Sequence, residues 1–160
     1  DFRNEAIKGK SLVFRTTNGT KSILMARDAN LVLLGSFLNI TVLVEYLIKS
    51  RKNVVILCSG WNGQFSLEDA VCAGAIAEKL TVDASFGNLG DSVYTARKLW
   101  NDSAADLAVK MNAAEHAQRL RKLGLDASHK YTFTQDGAVV LPALKNDKLF
   151  DLLKETNTNL

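Results

Sequence analysis

The segment NVVILCSGWNGQFSLEDAVCAGAIAEKL, residues 53 to 80, decides the fold class. Its first six residues are rich in branched apolar side chains, a loop with two glycines follows, and a helical pattern comes after the loop. Short continuous apolar runs are typical of strands buried on both faces, and helices that alternate with such strands are typical of a parallel sheet. The segment therefore predicts a strand, a loop and a helix that belong to one α/β unit.

The start of this helix has its own signal in the sequence. Ser66 precedes the helical pattern and Asp69 follows three residues later, which resembles a capping box with Asp in place of the usual Glu or Gln. The helix interior, residues 70–80, is mostly small and apolar. We therefore expect this helix to pack closely against the sheet.

The same arrangement occurs twice earlier in the chain. Apolar runs at residues 11–15 (SLVFR) and 31–34 (LVLL) each stop at a small polar loop, and a helical pattern follows each loop. Helical patterns return at residues 91–101 and 104–123. Repeated strand and helix alternation predicts an α/β domain over residues 1–160, a three-layer α/β/α arrangement with a largely parallel or mixed sheet.

The end of the chain has a different pattern. Residues 130–134 (KYTFT) and 138–141 (AVVL) are short strand candidates on either side of Gln135, Asp136 and Gly137, a turn signal typical of hairpins. We therefore predict a short C-terminal β-hairpin beside the main sheet.

Composition excludes several classes of protein. The formal charge is +3, from 20 basic and 17 acidic residues, and it is too slight and too dispersed for a nucleic-acid surface. No apolar run reaches the roughly 18 residues of a membrane helix. Cys58 and Cys72 lack the short spacing of a zinc or redox pair, which favours reduced thiols in the cytoplasm. We expect a cytoplasmic protein with no nucleic-acid or membrane partner.

The three polar loops indicate a small anion as ligand. In a parallel α/β sheet the loops at the carboxyl ends of the strands gather at one edge, where glycines and helix starts offer N–H groups to an anion. Each loop taken alone is equally an ordinary turn. The sequence has neither G-x-x-x-x-G-K-[ST] nor G-x-G-x-x-G after the first strand, so a P-loop and a dinucleotide site have no support.

Several side chains in and around the third loop carry candidate chemistry, and two histidines lie further along the chain. Cys58 precedes a glycine loop as in cysteine phosphatases, but Gln64 stands where that class has arginine, so a buried apolar role is favoured. Glu68 and Asp69 either complement the helix dipole or hold Mg²⁺, which takes carboxylate oxygens and shares them with phosphate. Trp61 is either a pocket lid or a packing residue, and His116 and His129 are expected at the surface.

The loop sequences resemble one known family. TTNGT (residues 16–20), GSFLN (35–39), CSGWNGQFSLEDAVCAG (58–74) and KLGL (122–125) are similar, in this order, to the 2-phosphosulfolactate phosphatase (ComB) family. The resemblance implies an Mg²⁺-dependent hydrolase that removes phosphate from 2-phospho-3-sulfolactate, a small anionic phosphoester, on the route to coenzyme M or related sulfonates.

The resemblance also implies roles for particular residues. It places Glu68 and Asp69 as catalytic and metal-binding residues. It assigns the anion site to residues of all three loops: Thr17, Asn18, Gly19, Thr20, Ser36, Asn39, Ser59, Gly60 and Gly63.

Members of the family extend further at the amino-terminal side, whereas this chain begins at Asp1. We therefore expect residues 1–160 to be the C-terminal two-thirds of a larger ComB-like domain. Two alternatives stay open: a non-catalytic module that binds a small anion, and an oligomerisation module whose helices between residues 91 and 123 form a homodimer contact.

Overall fold

The computed structural model describes residues 9–13, 15–87, 89–124 and 129–158. This part of the chain mixes helices with short strands, in agreement with the predicted α/β class. The strands are β1 (Val32–Leu33), β2 (Pro142–Lys145) and β3 (Lys148–Asp151). The α-helices are α1 (Gly19–Met25), α2 (Ile40–Ser50), α3 (Leu67–Leu80), α4 (Asp91–Ser103), α5 (Leu107–Lys110), α6 (Glu115–Lys122), α7 (His129–Thr132) and α8 (Leu152–Thr158). Single 3₁₀ turns lie at Phe37–Asn39, Ala104–Asp106 and Met111–Ala113.

The three strands form one antiparallel sheet in the order β1-β2-β3. Val32 pairs with Leu144, and Pro142 pairs with Asp151 across the hairpin. Asn146 and Asp147 join β2 to β3 with positive φ angles of 49° and 58°, which suit the twist of a two-residue hairpin turn. A C-terminal hairpin is therefore present, and its arms are β2 and β3.

The predicted hairpin arms at residues 130–134 and 138–141 were placed wrongly. Residues 129–132 form α7, and 138–141 are not part of a strand. Asp136 explains the difference, because its carboxylate accepts hydrogen bonds from the backbone N–H and the hydroxyl of Thr41, both at 2.8 Å. The turn at residues 135–137 thus covers the start of α2 and does not join two strands.

The described residues do not contain the predicted parallel sheet. Residues 31–34 include β1, but residues 53–58 and the described part of 11–15 have no regular secondary structure and no strand partner in the described ranges. Residue 14 lies outside those ranges. Val55 is 91% exposed and Val13 is 98% exposed. A strand of this composition is stable only when a neighbouring strand takes its hydrogen bonds, so these runs remain open chain here.

The core brings α2 and α3 together with Leu141 and Ala143 at and beside β2, and α4 packs against α3. The parallel sheet predicted to lie against α3 is not present in the described residues. Val71 on α3 and Ile40 on α2 are fully buried. A Cβ atom at Gly74 would overlap the carbonyl oxygen of Ala96 on α4, so only glycine permits this approach of the two helices. The small residues of α3 therefore serve a helix-helix contact.

The same core positions the surroundings of the α3 amino terminus. Met111 and Leu107 join the buried cluster, which sets α6 beside the loop that precedes α3. Among the described residues, no helix combines the length and the apolar character that crossing a bilayer requires.

Candidate functional site

A two-residue turn shapes the loop before α3. Asn62 and Gly63 have φ angles of 49° and 77°, and Trp61 and Gln64 exchange backbone hydrogen bonds of 3.0 and 2.9 Å across them. Asn-Gly is the preferred pair for a turn that needs two positive φ angles. Gly60, with φ of 64°, precedes the turn, and a Cβ atom there would overlap the carbonyl oxygen of Gln64. The glycines therefore fix where the Trp61 side chain lies.

The amino terminus of α3 is tied to this loop by its acidic residues. Ser66 Oγ accepts the Asp69 N–H at 3.3 Å, which confirms the Ser66 half of the predicted capping box. The Asp69 carboxylate accepts the Gly60 N–H on Oδ2 at 2.8 Å and lies 3.0 Å from Ser66 Oγ through Oδ1. The Gly60 N–H therefore holds Asp69 in place.

The first of two cavities in this region has a wall of hydroxyl and amide groups, and we call it the threonine cavity. Its volume is about 500 Å³, and its lining residues are Thr16, Thr17, Asn18, Gly19, Ser59, Gly60, Trp61 and Asp69. Thr16 and Thr20 brace its loop, since Thr16 Oγ1 accepts the Thr20 N–H at 2.8 Å and Thr20 Oγ1 accepts the Thr16 N–H at 3.2 Å. Asn18 Oδ1 accepts the Asn62 N–H at 3.4 Å and so joins the first loop to the third.

The second cavity carries most of the charge, and we call it the arginine cavity. Its volume is about 370 Å³, and its lining residues are Gly60, Trp61, Phe65, Ser66, Leu67, Glu68, Asp69, Ala113, Ala114, Glu115, His116 and Arg119. The Arg119 guanidinium carbon lies 3.6 Å from the centre of the Trp61 ring, and Arg119 Nη2 lies 2.6 Å from His116 Nδ1. The two cavities share Gly60, Trp61 and Asp69, so they are neighbours across the Trp61 wall.

Most of the residues predicted from the first and third loops lie around these two cavities. Those that line one or both are Thr17, Asn18, Gly19, Ser59, Gly60, Glu68 and Asp69. Thr20 supports the first loop through Thr16, and Gly63 belongs to the turn that presents Trp61. Their roles toward a ligand stay predictions.

Ser36 and Asn39 of the second loop do not line either cavity. Asn39 is buried, and its Oδ1 accepts the Ser36 N–H at 2.9 Å and the Ser36 hydroxyl at 3.1 Å. Its Nδ2 donates to the carbonyl oxygens of Leu34 and Val140, each at 3.1 Å. These hydrogen bonds join the segment after β1 to the start of α2. Both side chains therefore stabilise the fold at this point.

Glu68 and Asp69 are the acidic pair predicted to bind a metal ion. Glu68 Oε2 lies 3.3 Å from Ser66 Oγ, while Glu68 Oε1 is buried without a hydrogen-bond partner in the described structure. The described residues hold no group of three or more His, Cys, Asp or Glu side chains placed to bind a metal. Two carboxylates, one with an open buried oxygen, fit a cation that takes its other ligands from water and phosphate.

Cys58 lacks the environment of a nucleophile. The residue is exposed, and partial desolvation together with the nearby Asp69 charge raises the pKa of its thiol above the ordinary value. Burial, with Asp69 and Cys58 nearby, raises the pKa of the Cys72 thiol to about 12. Nucleophilic cysteines have a lowered pKa, so both side chains stay protonated thiols near neutral pH. The expected burial of Cys58 is corrected to exposure.

No sequence pattern predicted the α6 contribution to the site. Glu115, His116 and Arg119 are about 50 residues beyond the third loop, in a helix whose polar residues resemble a solvated face. His116 is exposed as predicted, yet it also lines the arginine cavity. The side chain of His129 lies outside the described residues. Trp61 lines both cavities. Its predicted role as a pocket lid or a packing residue stays open.

The amino-acid sequence of this chain is similar to those of several known proteins. The family model described as 2-phosphosulpholactate phosphatase matches residues 1–147. A probable 2-phosphosulfolactate phosphatase of Caldanaerobacter subterraneus subsp. tengcongensis is 37% identical over 148 residues, 91% of this chain and 60% of that protein. Similar proteins with the same printed name occur in Thermotoga maritima (36% identical; 91% and 62% covered) and Synechocystis sp. (38%; 89% and 60%). The chain thus spans about three-fifths of the length of these relatives.

Proposed function

Because the chain belongs to the 2-phosphosulfolactate phosphatase family, we propose that it is the larger part of a phosphoric-monoester hydrolase. Its substrate is 2-phospho-3-sulfolactate and its products are 3-sulfolactate and phosphate, on the route to coenzyme M or related sulfonates. One observation carries this proposal. Residues of the first and third loops line one cavity together with Asp69, and Asp69 also lines the neighbouring cavity. A cytoplasmic location, in keeping with two free cysteines, belongs to the same proposal.

The threonine cavity is the site that we assign to the phosphoryl group. Its wall presents the side chains of Thr16, Thr17, Asn18 and Ser59, which donate hydrogen bonds without fixed charge. Donors aimed at developing negative charge stabilise a transition state more than they stabilise the substrate. Asp69, held by Gly60, marks the end of this cavity nearest the acidic pair.

Glu68 and Asp69 are the residues that we assign to Mg²⁺. When bound, the ion would supply positive charge to the phosphoryl oxygens and lower the pKa of a water molecule. The open Oε1 of Glu68 supports this assignment, because a buried carboxylate oxygen without a partner is costly. A carboxylate of this pair, or the ion, would ready the attacking water.

Water is the attacking group in this proposal. A P–O bond to water forms while the bond from phosphorus to the sulfolactate oxygen breaks, and that oxygen gains a proton to become the hydroxyl of 3-sulfolactate. The protonated thiols of Cys58 and Cys72 support water over a covalent cysteine intermediate.

We also propose that the finer architecture predicted from sequence applies to the whole protein. The apolar runs at residues 11–15 and 53–58 would then be strands of a parallel or mixed sheet in a three-layer α/β/α domain. The support is their exposure, since Val55 and Val13 present large apolar surfaces in the described chain. Their strand partners would come from polypeptide other than the described residues.

The test measures phosphate release from 2-phospho-3-sulfolactate, with and without Mg²⁺, by a form extended to the length of the relatives. Asp69→Asn should lower kcat/KM at least about 100-fold, because it removes the charge at the junction of the two cavities. Asp91→Asn is the matched control, since Asp91 also lies in the first turn of a helix but lines neither cavity. It should retain the wild-type rate.

Two outcomes would contradict this proposal. An active Asp69→Asn variant would remove Asp69 from the catalytic role. A wild-type protein that binds 3-sulfolactate or phosphate without releasing phosphate from the ester would favour the non-catalytic anion-binding module instead. Size-exclusion chromatography of the same sample tests the homodimer.

A further inference from the structure

Arg119 is held against the wall that separates the two cavities. Its guanidinium lies flat enough on Trp61 for the guanidinium carbon to approach the ring centre to 3.6 Å. A guanidinium has five N–H donors and no acceptor, so the 2.6 Å contact is an N–H donated to His116 Nδ1. The stack and the hydrogen bond together fix the orientation of a half-buried cation at the cavity.

The charges around the arginine cavity are unevenly distributed. Glu68, Asp69 and Glu115 are the acidic lining residues, and Arg119 is the lining residue that is always a cation. In the described structure, Trp61 covers one face of the guanidinium, and His116 takes one of its N–H groups. Arg119 is therefore the lining side chain that offers an anion a permanent positive charge in this cavity.

The two cavities adjoin, because Gly60, Trp61 and Asp69 line both of them. A ligand with two anionic groups can therefore place one group in each cavity. In 2-phospho-3-sulfolactate the phosphoryl oxygen and the carboxylate sit on one carbon, and the sulfonate sits on the next. The sulfonate is thus the anionic group best able to pass the wall while the phosphoryl group stays in the threonine cavity.

We propose that Arg119 is the specificity-determining residue that binds the sulfonate of the substrate, in a subsite formed by Arg119, Trp61 and His116. This inference rests on the proposed function. A sulfonate is a permanent, weakly basic anion with three oxygens in a tetrahedral arrangement. The planar guanidinium fork can give it two parallel hydrogen bonds, and the weak hydration of the guanidinium lowers the cost of the contact.

The location of Arg119 predicts which kinetic constant it controls. The sulfonate lies away from the phosphorus atom and its charge does not change during the reaction. Contacts to it therefore stabilise the bound substrate and the transition state equally, which affects KM and leaves kcat unchanged.

The experiment compares 2-phospho-3-sulfolactate with 2-phospholactate, which has hydrogen in place of the sulfonate. For Arg119→Gln we expect a KM about 10- to 100-fold higher for the sulfonated substrate, the loss of hydrogen bonds to a charged group. The KM for 2-phospholactate and both kcat values should stay within about twofold of wild type. Lys122→Gln is the matched control, because it removes a positive charge from the same helix at an exposed position that lines neither cavity.

A conservative variant and a binding measurement make the test independent of turnover. Arg119→Lys keeps the charge and loses the fork, so it should restore only part of the preference for the sulfonated substrate. Calorimetry with 3-sulfolactate and lactate should show a preference for 3-sulfolactate that Arg119→Gln loses and Lys122→Gln keeps. Unchanged circular dichroism of each variant shows that the fold is intact.

The outcomes separate the two proposals. If Arg119→Gln behaves like Lys122→Gln, or raises KM equally for both substrates, the sulfonate subsite is overturned and the phosphatase proposal stands. If the wild-type protein hydrolyses neither ester, the phosphatase proposal fails. The binding preference then decides the role of Arg119: its loss in Arg119→Gln supports the subsite, and its absence in wild type overturns it.

Discussion

Two regions of the molecule have similarly apolar sequences and very different surroundings. Val71 on α3 is fully buried, whereas Val55 is 91% exposed in residues 53–58, which form no regular secondary structure. A helix satisfies its backbone hydrogen bonds within itself, so α3 needs only side-chain contacts from α2 and α4. An extended run needs a neighbouring strand for its N–H and C=O groups, and the described residues supply none to 52–58. Apolar patterning therefore predicts which segments tend to be buried. Whether a segment is buried in the fold depends on a neighbouring helix or strand that packs against it.

The contact between α3 and α4 is where the buried region is most easily broken. Gly74→Ala places a Cβ atom against the carbonyl oxygen of Ala96, and Trp100 Cβ lies 3.0 Å away. Alanine in a helix normally stabilises by about 1 kcal/mol relative to glycine. Here we expect a loss of about 3 kcal/mol in the free energy of unfolding, because the two helices must separate. Urea denaturation measures it.

Gly87→Ala is the control for this substitution. Gly87 lies in the segment between α3 and α4, and an added Cβ would meet the Ala84 carbonyl oxygen at an ordinary 3.7 Å. Its effect should stay within about 0.5 kcal/mol. A neutral or stabilising Gly74→Ala would show that α3 and α4 are not packed as closely as described.

The two valines provide a direct comparison of the regions. In the 160-residue chain, Val71→Ala should lower the free energy of unfolding by about 2 kcal/mol, the cost of a cavity in the core. Val55→Ala should change it by less than about 0.5 kcal/mol, because the side chain is already in solvent. The same pair measured in a form extended to the length of the relatives sharpens the comparison. There Val55→Ala should approach the cost of Val71→Ala if residues 53–58 gain strand partners.

Either of two results would contradict this view. Equal costs for both valines in the 160-residue chain would mean that residues 53–58 are already buried in solution, for example by self-association. A negligible cost for Val55→Ala in the extended form would argue against the proposed completion of the sheet.

The helices were the most predictable part of the fold. The pattern over residues 66–80 and the Ser66 cap predicted α3 to within a residue, because periodicity and capping act locally. The parallel sheet could not be predicted in the same way, since a strand is defined by its partner, which local sequence does not identify. Asp136 shows a related limit: its turn signal was read correctly, but its carboxylate caps α2 across 95 residues.

The candidate site likewise contains residues that local sequence patterns predict and residues that only tertiary packing brings in. Thr17, Asn18, Gly60 and Asp69 could be found in sequence because their loops follow apolar runs. The α6 residues that face them could not, because packing of Met111 and its neighbours, and no local motif, brings α6 to the loop. Asn39 had the residue type of a ligand donor, and only its burial and four hydrogen bonds show that its polar atoms are already used.

The smallest predicted effect concerns an ion pair between α3 and α4. Glu78 on α3 and Arg97 on α4 form an ion pair with a Glu78 Oε2 to Arg97 Nε distance of 2.7 Å. The hydrogen bond from Arg97 is the main cause that lowers the pKa of the Glu78 carboxyl below its ordinary value of 4.5. A carboxyl whose pKa is lower in the folded state than in the unfolded state stabilises the fold above the unfolded value. That contribution is lost as the pH falls through the folded pKa.

Glu78→Gln should therefore be slightly less stable than wild type near neutral pH, and the two should converge below the ordinary carboxyl pKa. The effect is small because both side chains are about one-third exposed, so water and salt screen the pair. Glu45→Gln is the control, since Glu45 is exposed on α2, away from this contact. Urea denaturation at several pH values measures the difference between the variants. A gap between wild type and Glu78→Gln that is constant across this range would mean that side-chain packing, and not the charge, joins α3 to α4 at this position.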